Sequence, residues 1–353
     1  MPGIKIMNIL IVKLSAIGDV VHTLPALNAI RKQHPEAHIT WLVEEAAHDV
    51  IKGHKALDRI IVSKRKDWIN GLLGGSAPMN IREMRFFLKE LRDTHYDLII
   101  DFQALLKSAV LIGLARGTCK TGFDKGMEHM EYSYLLLNHR IAPVDMEIHA
   151  LRRGLMLLKS LGITTEHIEY DFPISEKDRH RANHLLENQG IKTSDRFMTI
   201  NPVAKWETKN WSNHKFAQLA DKLKQQLHIA PVFTGSPGDR RVIEDIIGRM
   251  ENNAVNLAGR TTLKTLAALY ERAEFVVSTD TGPAHIAAAV GARVVAIFGP
   301  TAPWRTGPYG PHHQIIRADL TCSPCFKREC HTKACMMQIG VADVLKGIKM
   351  LGE

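Results

Sequence analysis

The sequence predicts an α/β protein of two Rossmann-like domains whose parallel sheets face each other across a cleft. Three observations carry that prediction. Short β-branched runs alternate with amphipathic stretches over almost the whole chain, the pattern of successive βαβ units. Strand candidates such as Val294–Phe298 are continuously apolar, which fits sheets covered on both faces. The chain has 353 residues, where about 150 residues per domain is usual.

Taken in order, Asn8–Val12 reads as a strand, followed by a loop and a helix with Leu24, Leu27 and Ile30 at helical spacing before Pro35. His38–Val43, Arg59–Ser63 and Asp97–Asp101 are the next strands, each followed by a turn and a helical pattern. Gly71–Pro78 (GLLGGSAP) reads as a flexible loop. The alternation lapses around Gly162–Pro173, just after the helical run Ala150–Leu161, and this sets an N-terminal domain over 1–170 and a C-terminal one over 171–353. The second half gives strands at Phe197–Asn201, Pro231–Thr234, Ala254–Leu257, Phe275–Thr279 and Arg293–Phe298, with helices at Asn213–Leu227 and Leu263–Arg272 between them. A short final helix, Val341–Leu351, closes the chain and is a candidate to pack back on the first domain.

Apolar residues at 45 % and charged residues at 24 % describe a globular chain and exclude disorder, collagen and a disulfide miniprotein. No stretch approaches the roughly 18–20 uninterrupted apolar residues of a membrane span. The early run Ile9–Val12 is cut by Lys13 and Asp19, so it is no signal-peptide core, and a cytoplasmic protein is expected. Lys and Arg outnumber Asp and Glu by 46 to 37, a net +9 that suits an acidic partner. A nucleic-acid role would call for clustered basic residues with exposed aromatics, whereas the basic residues are scattered among only six tyrosines, so no nucleic-acid partner is expected.

In open α/β sheets ligands bind beyond the carboxyl ends of the strands, so the loops there are the places to look. The first is Lys13-Leu-Ser-Ala-Ile-Gly-Asp19, between the first strand and its helix. A carboxylate at Asp19 would be held ionised by the helix dipole and could accept a proton from a substrate hydroxyl; alternatively it only caps the helix. The loop has no G-x-G-x-x-G, which disfavours a dinucleotide fingerprint and with it an NAD-dependent dehydrogenase. The second is Thr279-Asp-Thr-Gly-Pro-Ala-His285. Thr281 and Gly282, with Pro283 in the first helical turn, leave a helix N-terminus open to an anion such as a diphosphate. Asp280 could hold sugar hydroxyls, and His285 touches the phosphate, the sugar or only the core. The third, Asn201–Trp211, offers Lys205 and Lys209 as point charges for phosphate oxygens, with Trp206 and Trp211 as packing surface. Thr234–Gly238 and Asn256–Gly259 lie on the same edge and could frame a nucleoside.

These loops in this order resemble the glycosyltransferase family 9 heptosyltransferases of the lipopolysaccharide inner core. The resemblance rests on ILIVKLSAIGDVVHTLPAL at one end and STDTGPAHIAAAVGARVVAIFGPT at the other, with DFQALLKSAVL and Thr208–Trp211 between them. It runs from about Asn8 to Tyr309, and VVHTLPAL with DFQALLKSA is more similar to heptosyltransferase I than to heptosyltransferase II. It implies a GT-B fold with an acceptor domain first and a nucleotide-sugar domain second. The implied reaction is inverting transfer of L-glycero-D-manno-heptose from ADP-heptose to a Kdo sugar on lipid A. Transfer of another nucleotide sugar to another inner-core acceptor, or a non-catalytic nucleotide- or lipopolysaccharide-binding module, are the competing readings. In the implied mechanism Asp19 is the general base, Lys209 with the backbone at Thr281 and Gly282 neutralises the departing diphosphate, and Asp280 recognises the heptose. No metal is then required for transfer. A lipid acceptor implies peripheral contact with the inner face of the cytoplasmic membrane through Lys64, Arg65 and Lys66 with Trp68, Leu72 and Leu73, extended by Arg82, Arg85 and Lys89. Ser15, Lys107 and Ser108 join the acceptor candidates. The resemblance would also place an arginine after Gly122–Asp124, where this chain offers His129 as the nearest substitute.

Of five cysteines, four crowd into Cys322-x2-Cys325-x4-Cys330-x4-Cys335. Four thiolates suffice for a structural zinc site, although this is not the paired spacing of a zinc ribbon. An iron–sulfur cluster, reduced thiols or locally paired ones are the alternatives, and on each of them the segment reads as peripheral to transfer.

Overall fold

The computed structural model describes residues 6–73, 77–127 and 131–351, with the side chains of 72–78 outside that description. The chain divides into two compact units, Met1–Pro173 and Ile174–Glu353. Among the described residues each unit contains one six-stranded parallel sheet.

The first unit runs β1 (Asn8–Val12), α1 (Ile17–Gln33), β2 (His38–Glu44), α2 (His48–Ile51), β3 (Arg59–Ser63), α3 (Arg65–Leu73), α4 (Ala77–Arg92), β4 (His95–Asp101), α5 (Leu106–Leu114), β5 (Arg116–Phe123), β6 (His139–Ile141) and α6 (Ala150–Lys159). Its strand order is β3-β2-β1-β4-β5-β6. The second runs α7 (Glu176–Glu187), β7 (Phe197–Asn201), α8 (Asn213–Leu227), β8 (Ala230–Phe233), α9 (Arg240–Gly248), β9 (Val255–Asn256), α10 (Leu263–Arg272), β10 (Val276–Thr279), α11 (Gly282–Ala289), β11 (Val294–Phe298), α12 (Pro303–Thr306), β12 (His313–Arg317), α13 (Ala334–Met337) and α14 (Val341–Met350). Its order is β12-β11-β10-β7-β8-β9.

Central strands are buried throughout: Ile9 to Val12 and Val294 to Phe298 are each 0 % exposed. Burying such a side chain contributes about 1.5–3 kcal/mol relative to leaving it in water, which is why these strands are read as unbroken apolar runs. The final helix sets Val344 and Ile348 in the core of its own unit, with Phe216 and Ile297. Both sheets reverse their strand order once, between β1 and β4 and between β7 and β10. The loops after those four strands therefore part and leave a crevice at each switch point.

Three strands and several helices were not read from the sequence. β5 (RGTCKTGF) and β12 (HQIIR) are incompletely buried, so they lack the apolar run that marks a central strand, and β6 is three residues long. Helix occupies 71–73 and 77–78, where a flexible loop was expected; 74–76 lie outside the described residues. Trp68 is not membrane-facing: it is 6 % exposed, packs on Phe87 with ring centroids 5.1 Å apart and donates its indole N–H to Glu83 at 3.1 Å.

Candidate functional site

At the switch point of the first unit lies a pocket of about 220 Å³, lined among others by Lys13, Asp19, His22, Gln103 and Arg153. The loops after β1 and β4 are stitched together there. Gln103 Oε1 accepts the N–H groups of Leu14 (2.9 Å) and Ser15 (3.0 Å), and Lys13 Nζ donates to the Phe102 carbonyl at 3.0 Å. Asp101, 1 % exposed, holds the far loop by accepting the N–H groups of Gln103 and Ala104 and the hydroxyl of Ser108. Burial pushes its carboxyl up to about 6 despite those bonds.

Asp19 sits in the first turn of α1 and accepts the Ala16 N–H on Oδ2 at 3.0 Å, so the capping role read from the sequence is real. The same carboxylate lines the pocket, and a carboxylate has about four lone-pair sites, so capping leaves it able to accept a proton. Asp19 is the one carboxylate among the pocket's described lining residues, against the cations Lys13 and Arg153.

Three of the acceptor-side cations named from the sequence are gathered on one buried carboxylate, which offsets part of their charge. Glu44, 4 % exposed at the end of β2, gathers Lys107 Nζ at 3.3 Å, Arg65 Nη2 at 3.2 Å and Lys66 Nζ at 3.6 Å. Burial alone would raise the Glu44 carboxyl; Lys107, Arg65 and Lys66 outweigh it and hold the group below its ordinary range. Lys107 also donates to Ser15 Oγ, which ties this cluster to the Asp19 loop. Lys64 pairs with Glu45 at 3.9 Å, an exposed contact worth little. His129 lies outside the described residues. Glu44 and Arg153 were missed by the sequence reading; a carboxylate closing a strand was the available signal for the first, and nothing local marks the second.

At the switch point of the second unit, Lys209 Nζ meets Asp280 Oδ2 at 2.6 Å, and Thr301 donates its hydroxyl to the same oxygen at 2.5 Å. Asp280 is 6 % exposed. Thr281 is the extended N-cap of α11 and Gly282 its first residue, so the first-turn N–H groups of that helix open beside the pair. Lys209 Nζ also lies 4.6 Å from the Trp206 ring centroid. Lys205 is exposed and joins none of these contacts. His285, one turn into α11, is 6 % exposed. Burial, with His312 and His285 close by, holds the neighbouring His313 down to about 4.

The remaining loops of that edge are tied side by side. Asn201 Nδ2 donates to the Thr234 carbonyl at 3.2 Å and Gly259 N–H to the Gly235 carbonyl at 2.9 Å. Gly259 has φ +74°, and an added Cβ would come within 2.9 Å of Pro237, so the close approach of these two loops requires glycine.

In the cysteine segment Cys335 is buried on α13 while Cys322 and Cys330 are exposed, and burial together with the nearby Cys325, Cys322 and Cys330 raises the Cys335 thiol. Among the described residues no three His, Cys, Asp or Glu side chains are grouped as a metal site. The segment packs against the Lys209 loop. Thr208 donates its hydroxyl to the Lys327 carbonyl at 2.9 Å, Lys333 pairs with Glu207, and the Arg328 guanidinium lies 4.8 Å from the Trp206 ring centroid.

The sequence profile of glycosyltransferase family 9 (heptosyltransferase) matches residues 84–336. Lipopolysaccharide heptosyltransferase 1 of Pseudomonas aeruginosa is 30 % identical over 327 residues, covering 92 % of this chain and 87 % of the relative. Among solved structures, E. coli heptosyltransferase WaaC with ADP matches at a TM-score of 0.79 and 27 % identity, over 98 % of this chain and 100 % of that one. The same protein with ADP-2-deoxy-2-fluoro heptose matches at 0.77 and 27 %, over 98 % and 99 %.

Proposed function

The chain belongs to glycosyltransferase family 9, the heptosyltransferases, with their GT-B fold, and from that premise we propose that it moves L-glycero-D-manno-heptose from ADP-heptose to a Kdo hydroxyl of the lipopolysaccharide inner core, inverting the anomeric centre. The observation that carries this reading is the Lys209–Asp280 pair beside the N-terminus of α11, a place built for an anion next to a polyol.

In this mechanism the acceptor hydroxyl lies against Asp19 and gives it its proton as the oxygen attacks C1 of the heptose. The C1–O bond to the diphosphate breaks on the opposite face, and ADP leaves with the electron pair. An ammonium carries three donors, so Lys209 can keep Asp280 and still reach a phosphate oxygen. Asp280, whose Oδ2 holds both Lys209 and Thr301, leaves Oδ1 for a sugar hydroxyl. Lys13 and Arg153 give the Asp19 pocket the positive balance that a carboxylated sugar such as Kdo needs. Incubation with ADP-heptose and Kdo-lipid A tests the reading directly: this pair is expected to release ADP, and release only with another sugar nucleotide or another acceptor would replace it.

Because lysine and a helix terminus take the charge of the leaving group, transfer is expected to continue in excess EDTA. A turnover that EDTA abolishes and Mg²⁺ restores would contradict this.

Peripheral membrane contact is part of the proposal, and α4 is the surface that supports it. No helix among the described residues is long and apolar enough to cross a membrane. The outer face of α4 exposes Met79 (63 %) and Phe86 (63 %) among Arg82, Arg85 and Lys89. Its acids are engaged elsewhere, Glu83 by Trp68 and Glu90 by Arg59 at 3.8 Å, so the face presents apolar and cationic groups to an anionic lipid surface. Reversing Arg82 and Arg85 to Glu is expected to abolish sedimentation with anionic phospholipid vesicles, since each cation near such a surface is worth about 1 kcal/mol. Unchanged sedimentation would exclude α4 as the contact.

A further inference from the structure

The irregular segment between β12 and α13 touches the loops on both sides of the donor pair. On one side Ser323 donates its hydroxyl to the Gly299 carbonyl at 2.6 Å, and the N–H groups of Cys325 and Phe326 reach the Pro300 carbonyl at 2.9 and 2.8 Å. The next residue, Thr301, is the one that bonds Asp280. On the other side the segment holds the Lys209 loop through Thr208, Glu207 and Trp206.

The charge balance at this pair is incomplete for a diphosphate. Lys209 and Asp280 carry opposite unit charges 2.6 Å apart and cancel. What remains is the partial charge of a helix terminus, about +0.5, against a ligand group with at least two negative charges. One more cation is needed, and Arg328 is at hand: its guanidinium and the Lys209 ammonium share the Trp206 ring, at 4.8 and 4.6 Å from its centroid. Arg328 is exposed and has no carboxylate partner among the described residues. The Trp206 ring thus holds an arginine beside the loop that carries Lys209. A guanidinium fork also matches phosphate oxygens in bidentate geometry, which an ammonium does not.

We propose that Arg328, delivered by the cysteine-rich segment and held on Trp206, is a second cation of the donor diphosphate site. This rests on the reading of that site as one for an ADP-sugar, and its test separates the two. ADP and AMP are titrated by calorimetry into the full-length wild type, Arg328→Ala and Arg328→Lys, with the melting temperature of each recorded. Arg328→Ala is expected to weaken ADP about tenfold or more, the worth of a charge-assisted hydrogen bond, and AMP by much less. The KM for the donor should rise in step while the KM for the acceptor stays. Arg328→Lys should recover part of the loss, and it gives the same reading should the alanine variant fold poorly. Unchanged ADP affinity in a variant of unchanged melting temperature overturns the inference and leaves the donor site standing. Equal losses for ADP and AMP overturn it too, because they place the effect away from the second phosphate. A wild type that ignores ADP removes both.

Discussion

Asp19→Asn is expected to lower kcat by about 10²–10⁴-fold, the range over which a positioned general base acts, with little change in fold stability. Asparagine is chosen because it keeps the other role of the residue. Its amide oxygen can still accept the Ala16 N–H that Asp19 accepts at 3.0 Å, so α1 remains capped. If Asp19 only capped the helix, Asn would be nearly neutral for turnover. Ala would then cost about 0.5–2 kcal/mol of stability and no chemistry. If it is the base, Asn and Ala share the same collapse of kcat and differ only in stability. Steady-state turnover beside thermal melts of the two variants tells these cases apart.

Lys209→Met is expected to lower kcat/KM by about 10²–10³-fold, the usual cost of removing one group that stabilises developing negative charge. It carries a structural penalty as well. Asp280 is 6 % exposed and would keep only the Thr301 hydroxyl, and stranding a buried carboxylate costs up to about 3–5 kcal/mol when the site is dry. Lys209 itself is only 16 % exposed, so much of that penalty should appear as a lower melting temperature. The double variant Lys209→Met with Asp280→Asn removes both charges together. It is expected to regain the melting temperature and not the transfer, and its transfer should fall well below that of Asp280→Asn alone, which separates the charge that Lys209 supplies from a damaged fold and from the lost sugar contact. Recovery of transfer in the double variant would mean that Lys209 serves only to neutralise Asp280.

The legible parts of this molecule were those where burial imposes one pattern. The strands β1 and β11 are apolar over nearly their whole length, and α8 and α10 carry a helical apolar stripe, so their ranges follow from residue order alone. Edge strands such as β12 are wetted and lose that pattern. Helix α7 is polar almost all round, yet Ser175 accepts the Asp178 N–H and Asp178 returns the bond, a capping box that stood in the sequence as Ser-Glu-Lys-Asp and was passed over. In the candidate site, Asp19, Lys209 and Asp280 are legible because each lies between a strand and the next long helix or in that helix's first turn, at the carboxyl edge of its sheet. What could not be read was pairing across long separations. Nothing near Lys66 announces that Glu44 will pair with it, and nothing near Trp206 announces Arg328, more than a hundred residues on. The basic run at Lys64–Lys66 reads as free charge in the sequence for that reason, and the proposed membrane contact rests on α4 instead.

The division of labour between a proton acceptor in the first unit and a cationic donor pocket in the second is tested most directly by the dissociation constant of ADP in the Asp19→Asn and Lys209→Met proteins. The account predicts wild-type affinity for the first, although it turns over poorly, and at least tenfold weaker binding for the second. ADP binding lost in the Asp19 variant and retained in the Lys209 variant would contradict it.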